Sequence, residues 1–354
     1  MARGVKRRIT VLLSITLGIG LFVYILNDIG VEKIVGAIGQ LGVLGTFLSF
    51  LNICIMIFGW VWSWKILLNA YGLNPSWGLV TRAVLGGHAL SYLTPSMYFG
   101  GEPLRVYMMS KELGVSSSKI TATVVIWKIL EGGTLFSLVV FGSFNVVFSG
   151  ALNVSEEISL AAGNMLVIGA WGLMAWSFIT KKHWVSRFCG FLQKKLPFGK
   201  ERLAKTRSWL IEAETSVHFA FSNHTKAVLI VLVLSLIVNL TVFVRPWLFF
   251  TFASGGDIMF GFRNLAFIFA MFFFLSTFLW ITPGGIGTSE FGLIGIFQLV
   301  NNTIPGRDVV AYSLTVKGME LFFIIIGLFI LLRFGALKFP RLRKGDAKAE
   351  PDSS

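Results

Sequence analysis

Charge is scarce in this chain. Lys, Arg, Asp and Glu make up 14% of its 354 residues, well below the roughly 25% of an ordinary soluble domain. Cysteine is scarcer still. Cys54 lies in an apolar run and Cys189 in a basic segment, which excludes a disulfide framework. The histidines His88, His183, His218 and His224 lack zinc spacing, so no metal site is expected. No P-loop occurs to supply ATP-driven work. GGIG at 284–287 is only a superficial match, because no strand precedes it. A nucleophile elbow is missing too. None of these features implies a cofactor.

Apolar sequence fills the space. Hydrophobic residues reach 55%, the mean hydropathy is +0.76, and several runs attain the length of a membrane-crossing helix. Lipid offers no partner for an unpaired backbone group, so these runs read as helices rather than strands. Six spans are predicted, at 9–27, 43–68, 118–148, 158–180, 226–250 and 309–333. The first is too long for a cleaved signal peptide and reads as a retained anchor. Two further apolar segments, 76–113 and 258–303, are interrupted by TPSMYFGGEP and TPGGIGTSE. Each is expected to form two half-helices around irregular backbone, set by Pro95, Gly100 and Gly101 in the first and by Pro283, Gly284, Gly285 and Gly287 in the second. Residues 258–281 are long enough to cross fully whereas 290–303 are not, so seven or eight crossings stay open.

The net charge of +14 is not spread as in a nucleic-acid binder. It gathers at the N-terminus, in 181–226 and after Arg333, which is the positive-inside distribution. Both termini and the loop 181–225 are therefore expected on the cytoplasmic side of the cell membrane. Trp184, Phe188, Phe191 and Trp209 alternate there with bases, as in amphipathic helices lying on a leaflet or in a solvated connector. On this reading the chain is a single transmembrane domain over 1–337, with a disordered tail at 338–354.

Four glutamates interrupt the apolar runs, in two copies of one arrangement. Thr94-Pro95 is followed by Glu102, Lys128 and Glu131; Thr282-Pro283 is followed by Glu290, Lys317 and Glu320. Pro and Glu are seven residues apart in both copies, and Lys and Glu three. The charge pattern makes the copies, 43–148 and 226–333, face opposite ways, as in the inverted repeats of many transporters. Pro103 after Glu102, and the candidate N-caps Thr288 and Ser289 before Glu290, place a half-helix start at each break. Such starts attract phosphate or carboxylate. Arg105 follows Glu102 by one helical turn, with Leu293 at the equivalent place in the second copy, and Arg245 adds a cation beside Pro246. The glutamates can simply cap their own helices and the pairs lock the bundle. Alternatively the cations line a phosphate path with the carboxylates as counter-charges. Charges are retained at membrane depth mainly where they pair or work.

The two breaks carry a resemblance. Gly101, Glu102 and Arg105, then Pro283, Gly284, Gly285, Gly287 and Glu290, resemble the marks of the lysylphosphatidylglycerol synthase transmembrane-region, or flippase-like, family. Lys128 and Lys317 stand where that family commonly has arginine, which keeps the charge but loses fork geometry. No aminoacyltransferase domain is found in these residues. The resemblance implies an all-α polytopic membrane protein with two broken, re-entrant hairpins, and translocation of a phospholipid or polyisoprenyl-phosphate-linked head group. Its partners would then be membrane lipids with phosphate-bearing heads. A membrane enzyme acting on a lipid-linked substrate is the alternative.

Overall fold

The computed structural model describes residues 30–93, 100–147, 184–195, 218–279 and 282–334, with isolated positions outside them. Every regular element among these is helical: α1 (Val31–Gly39), α2 (Gly42–Ala70), α3 (Trp77–Leu93), α4 (Glu102–Leu113), α5 (Ser117–Val147), α6 (Trp184–Lys195), α7 (Thr225–Ala253), α8 (Phe262–Leu279), a 3-10 turn at Pro283–Gly285, α9 (Thr288–Val300) and α10 (Gly306–Phe334). Helices α2, α5, α7 and α10 are long and apolar enough to cross a membrane. They match four of the predicted spans. The spans at 9–27 and 158–180 lie almost wholly outside the described residues, as does Pro95. The outward faces of the long helices stay apolar, with Val43, Phe47 and Phe58 on α2 and Ile325 and Phe329 on α10 exposed. A helix apolar all round has lipid, or the interior, for its surroundings.

The helix series α2–α5 and α7–α10 repeat one another in length, with 29, 17, 12 and 31 residues against 29, 18, 13 and 29. Their contacts are reciprocal. The first half-helix of each series, α3 or α8, packs on the last helix of the other series, α10 or α5, while α2 packs on α7. Directions follow from the residues that touch. Along the α2–α7 crossing Gly45 meets Phe252, Asn52 meets Thr241 and Gly59 meets Val238, so the pair is antiparallel. Helix α3 runs against α10, with Gly86 on Leu331 and Ala89 on Gly327. Helix α8 runs against α5, with Phe262 on Phe141 and Phe273 on Phe136. The end of α4, at Lys111, sits on Phe334 at the end of α10, and α5 starts just beyond α4. Helices α5 and α10 therefore run in opposite directions, and the hairpins α3–α4 and α8–α9 open toward opposite sides. The series are inverted copies.

Small residues set how closely the copies approach. A Cβ on Gly142 would lie 2.2 Å from the carbonyl oxygen of Ala266, and one on Gly327 would lie 2.3 Å from that of Leu85. Without a hydrophobic drive between helices in lipid, such backbone contact is the main source of packing. Two apolar cores flank the middle of the molecule. One gathers Trp64, Val80, Met108 and Trp127 around the first hairpin. The other gathers Phe249, Phe250, Phe297 and Tyr312 around the second.

Two elements refine the sequence reading. Val31–Gly39 lies between the predicted spans 9–27 and 43–68, where the sequence reading places no element. It is an amphipathic helix that buries Ile34 and Ala37 and packs on α10. Helix α6 falls in the basic loop with Phe188 and Phe191 exposed and Ser186 and Cys189 buried.

Gly142→Ala and Gly327→Ala should each lower the thermal midpoint of the detergent-solubilised protein. The overpacking cost is about 1–3 kcal/mol. Gly318→Ala, on an open face of α10 with nothing near the added methyl group, should leave the midpoint unchanged or raise it.

Candidate functional site

The first hairpin is welded by two glycines. Gly101 caps α4, its N–H donates to Ser91 Oγ at 2.8 Å, and a Cβ there would lie 1.9 Å from the carbonyl oxygen of Gly87. The Arg105 side chain runs over Gly87 in turn. Pro103 occupies the first turn of α4, as its sequence position predicts. Gly100 sits in the turn before the cap.

Around this start the charges converge. Arg105 Nη1 donates to Glu102 Oε1 at 3.0 Å, and Lys128 Nζ lies 3.7 Å from the same oxygen. Lys128 also donates to Glu131 Oε2 at 2.8 Å, and Trp60 Nε1 donates to Glu131 Oε1 at 2.6 Å. Arg105 and Lys128 both lie over the indole of Trp127, at 5.1 and 4.8 Å from the ring centre. Asn239 of α7 ties the group to the other copy by donating to the Glu131 carbonyl and to Thr134 Oγ1.

The second hairpin is built differently. Thr288 and Ser289 are predicted N-caps. In the structure the cap is Gly287, and Thr288 and Ser289 are the first helical residues, both donating back to the Gly285 carbonyl. The cap moves because Gly287 adopts φ +83 and ψ −51, a conformation closed to residues with a Cβ. Glu290 then reaches back, accepting from Gly287 N–H at 2.7 Å. Its other oxygen accepts from Ser313 Oγ at 2.8 Å and from Lys317 Nζ at 2.5 Å. Glu290 is fully buried. Lys317 also donates to Ser289 Oγ. Glu320 is left to Arg245, whose Nη1 donates to it at 2.8 Å while Nε donates to Asn52 and Nη2 contacts Met56 Sδ.

All eight charged residues singled out in the sequence thus fall into two neutral clusters of two carboxylates and two cations. The copies differ in where the second cation stands. In the first it is Arg105, on the hairpin, where Leu293 occupies the second copy. In the second it is Arg245, on long helix α7. Adding 189 takes Lys128 to Lys317 and Glu131 to Glu320, and the same shift takes Met56 to Arg245. Between the clusters the hairpin tips meet, since a Cβ on Gly284 would lie 2.5 Å from the Tyr92 ring. His88 is buried there, its ring 5.2 Å from Trp60 and within the fields of Glu320, Arg105, Lys128 and Arg245.

Sequence reasoning missed Asn52, Ser313, Gly87 and Trp60. The first two are polar residues inside apolar helices, a signal that was available. Trp60 is one of eleven tryptophans, and nothing along the chain separates it from the others. Among the described residues no group of His, Cys, Asp and Glu is placed to hold a metal. The arrangement holds a carboxylate between two cations at the start of α4 and a fully buried carboxylate against one cation at the start of α9.

Removing one partner from a buried ion pair strands the other charge, a loss of about 3–5 kcal/mol. Glu320→Ala should therefore lower thermal stability sharply, and Arg245→Met with Glu320→Leu should recover most of it. Arg307→Ala, in an exposed pair, should change it little.

Comparison with known proteins agrees with this architecture. A UPF0104 membrane protein of Methanocaldococcus jannaschii is 24% identical over 262 residues, covering 71% of this chain and 73% of its own. Another, of Methanothermobacter thermautotrophicus, is 25% identical over 256 residues, covering 66% and 73%. No solved structure matches the chain. The family described as the lysylphosphatidylglycerol synthase TM region matches residues 11–327. The chain is a multi-pass membrane protein of the lysylphosphatidylglycerol synthase TM-region family.

Proposed function

We propose that the protein is a lipid transporter of the cell membrane, moving a phospholipid or polyisoprenyl-phosphate-linked head group between leaflets. The observation that carries this reading is the pair of charged half-helix starts, one on each of two hairpins that open to opposite sides. A head group is polar and its tails are not. A path for it needs polar lining at membrane depth beside an open lipid face, and irregular backbone is tolerated there only where protein or a water-filled cavity covers it. Broken helices meeting at the midplane of an inverted repeat supply that lining, with positive helix ends aimed at anionic groups.

The charge distribution gives the orientation in this reading. Lys111 and Arg333 stand at the open end of the first hairpin, and Asp257 and Asp308 mark that of the second, where Arg263 and Arg307 run against the trend. Basic residues favour the cytoplasmic side, so the first hairpin opens inward, the second outward, and both termini are cytoplasmic. Arg105, Lys128, Lys317 and Arg245 hold the phosphate in passage, with Glu102, Glu131, Glu290 and Glu320 as their counter-charges. The comparisons support a membrane protein with this transmembrane region; the cargo is what the family resemblance implies, and the cations of the clusters suit its phosphate.

The test is a head-group accessibility assay in proteoliposomes with labelled phospholipids. Wild type should move lipid between leaflets. Glu102→Gln and Glu290→Gln should lose nearly all movement while remaining folded and inserted. Normal movement by both variants would remove the clusters from the path. A chemically altered product from a lipid-linked sugar would replace transport with catalysis.

A further inference from the structure

The clusters differ in how completely their hydrogen-bonding capacity is used. Glu290 has both oxygens engaged. In the first hairpin Glu102 Oε2 has no partner, nor do His88 Nε2 and Arg105 Nε, although all three atoms are buried. Arg105 and His88 are each 3% exposed, so these groups have left water almost entirely. Buried polar atoms are nearly always satisfied, and a concentration of orphans marks a place where a ligand supplies the bonds.

Two of the orphans belong to the residues of an unusual bridge. A single oxygen of Glu102 serves both Arg105 and Lys128. Both cations also lie over one indole ring, and Glu102 is the carboxylate between them, with Glu131 on the far side of Lys128. A phosphate fits this place better. It offers more oxygens, matches the fork of a guanidinium, and suits the N-terminus of a twelve-residue helix such as α4. The second hairpin lacks the means, because Leu293 stands where Arg105 would be and Glu290 is enclosed by its own donors.

We infer that Glu102 is a placeholder, its carboxylate holding the position between Arg105 and Lys128 that the phosphate group of the cargo takes. The two anions exchange there, and the second hairpin has no such exchange site. The inference rests on the transporter reading and adds to it that cargo phosphate displaces a carboxylate in one repeat only. The displaced carboxylate needs a donor, so the favoured ligand carries a hydroxyl or amine near its phosphate. Lipid and free phosphate share the recognised group.

Equilibrium binding to the purified full chain tests this, using fluorescent short-chain phosphatidylglycerol as probe with inorganic phosphate and farnesyl phosphate as competitors. Removing the competing anion should tighten binding, so Glu102→Gln should lower the Kd about three- to tenfold although it blocks transport. Glu102→Asp, with its charge withdrawn by one methylene, should fall between. Arg105→Gln and Lys128→Gln should raise the Kd tenfold or more, Glu290→Gln should not tighten binding, and Arg307→Ala, outside both clusters, should bind as wild type does. Competition by inorganic phosphate as strong as by farnesyl phosphate would make the site a phosphate site, and a lipid-only effect a head-group site. Either pattern supports the exchange. Weaker or unchanged binding by both Glu102 variants, equal tightening by Glu290→Gln, or no binding of any probe would overturn it. Binding as expected without transport would remove the transporter reading and leave the exchange site. Transport without tightening would do the reverse.

Discussion

A carboxylate at membrane depth is tolerable only while cations or backbone donors hold it, and the arrangement of the helices follows from that constraint. A charge at the centre of a spanning helix costs about 2.5–3.5 kcal/mol on insertion scales. Four glutamates and four cations would make these segments poor spans if each stood alone. Gathered into two neutral clusters they are compatible with lipid on the outside of the bundle. The glycines at helix contacts, the broken backbone at the hairpin tips and the polar residues Asn52, Asn239 and Ser313 all serve to bring those charges together.

The inverted repeat makes this economical. One sequence arrangement, used twice in opposite directions, brings two hairpins tip to tip and leaves them open to different sides. The Tyr92 ring against Gly284 is the point where the copies meet. Departure from symmetry is as informative as symmetry. Lys128 is shared between Glu102 and Glu131. Its counterpart Lys317 commits to Glu290 and leaves Glu320 to Arg245. One cluster keeps unused hydrogen-bonding capacity and the other closes on itself, so the two repeats are chemically unlike within one fold.

Much of the fold was legible along the chain, because lipid leaves the backbone few options. The four long helices and both hairpins fall where apolar length and the Pro/Gly breaks put them. Helix α1 was hidden because nine residues of mixed character read equally well as a loop. The N-cap of α9 was misplaced because good capping side chains, Thr288 and Ser289, stand beside a glycine whose backbone freedom decides the matter.

Composition and spacing by themselves determined that the chain lives in a membrane, where its apolar runs are interrupted, and which eight charged residues stand inside them. These are local or summed properties, fixed by transfer free energy and by the chemistry of Pro and Gly. Only the tertiary structure decided which cation holds which carboxylate. A three-residue spacing puts Lys317 and Glu320 on one face of a helix, but their partners, Glu290 and Arg245, come from other helices. Which of them arrives is set by the angle and register of helix crossings, a balance of close packing that no stretch of sequence contains.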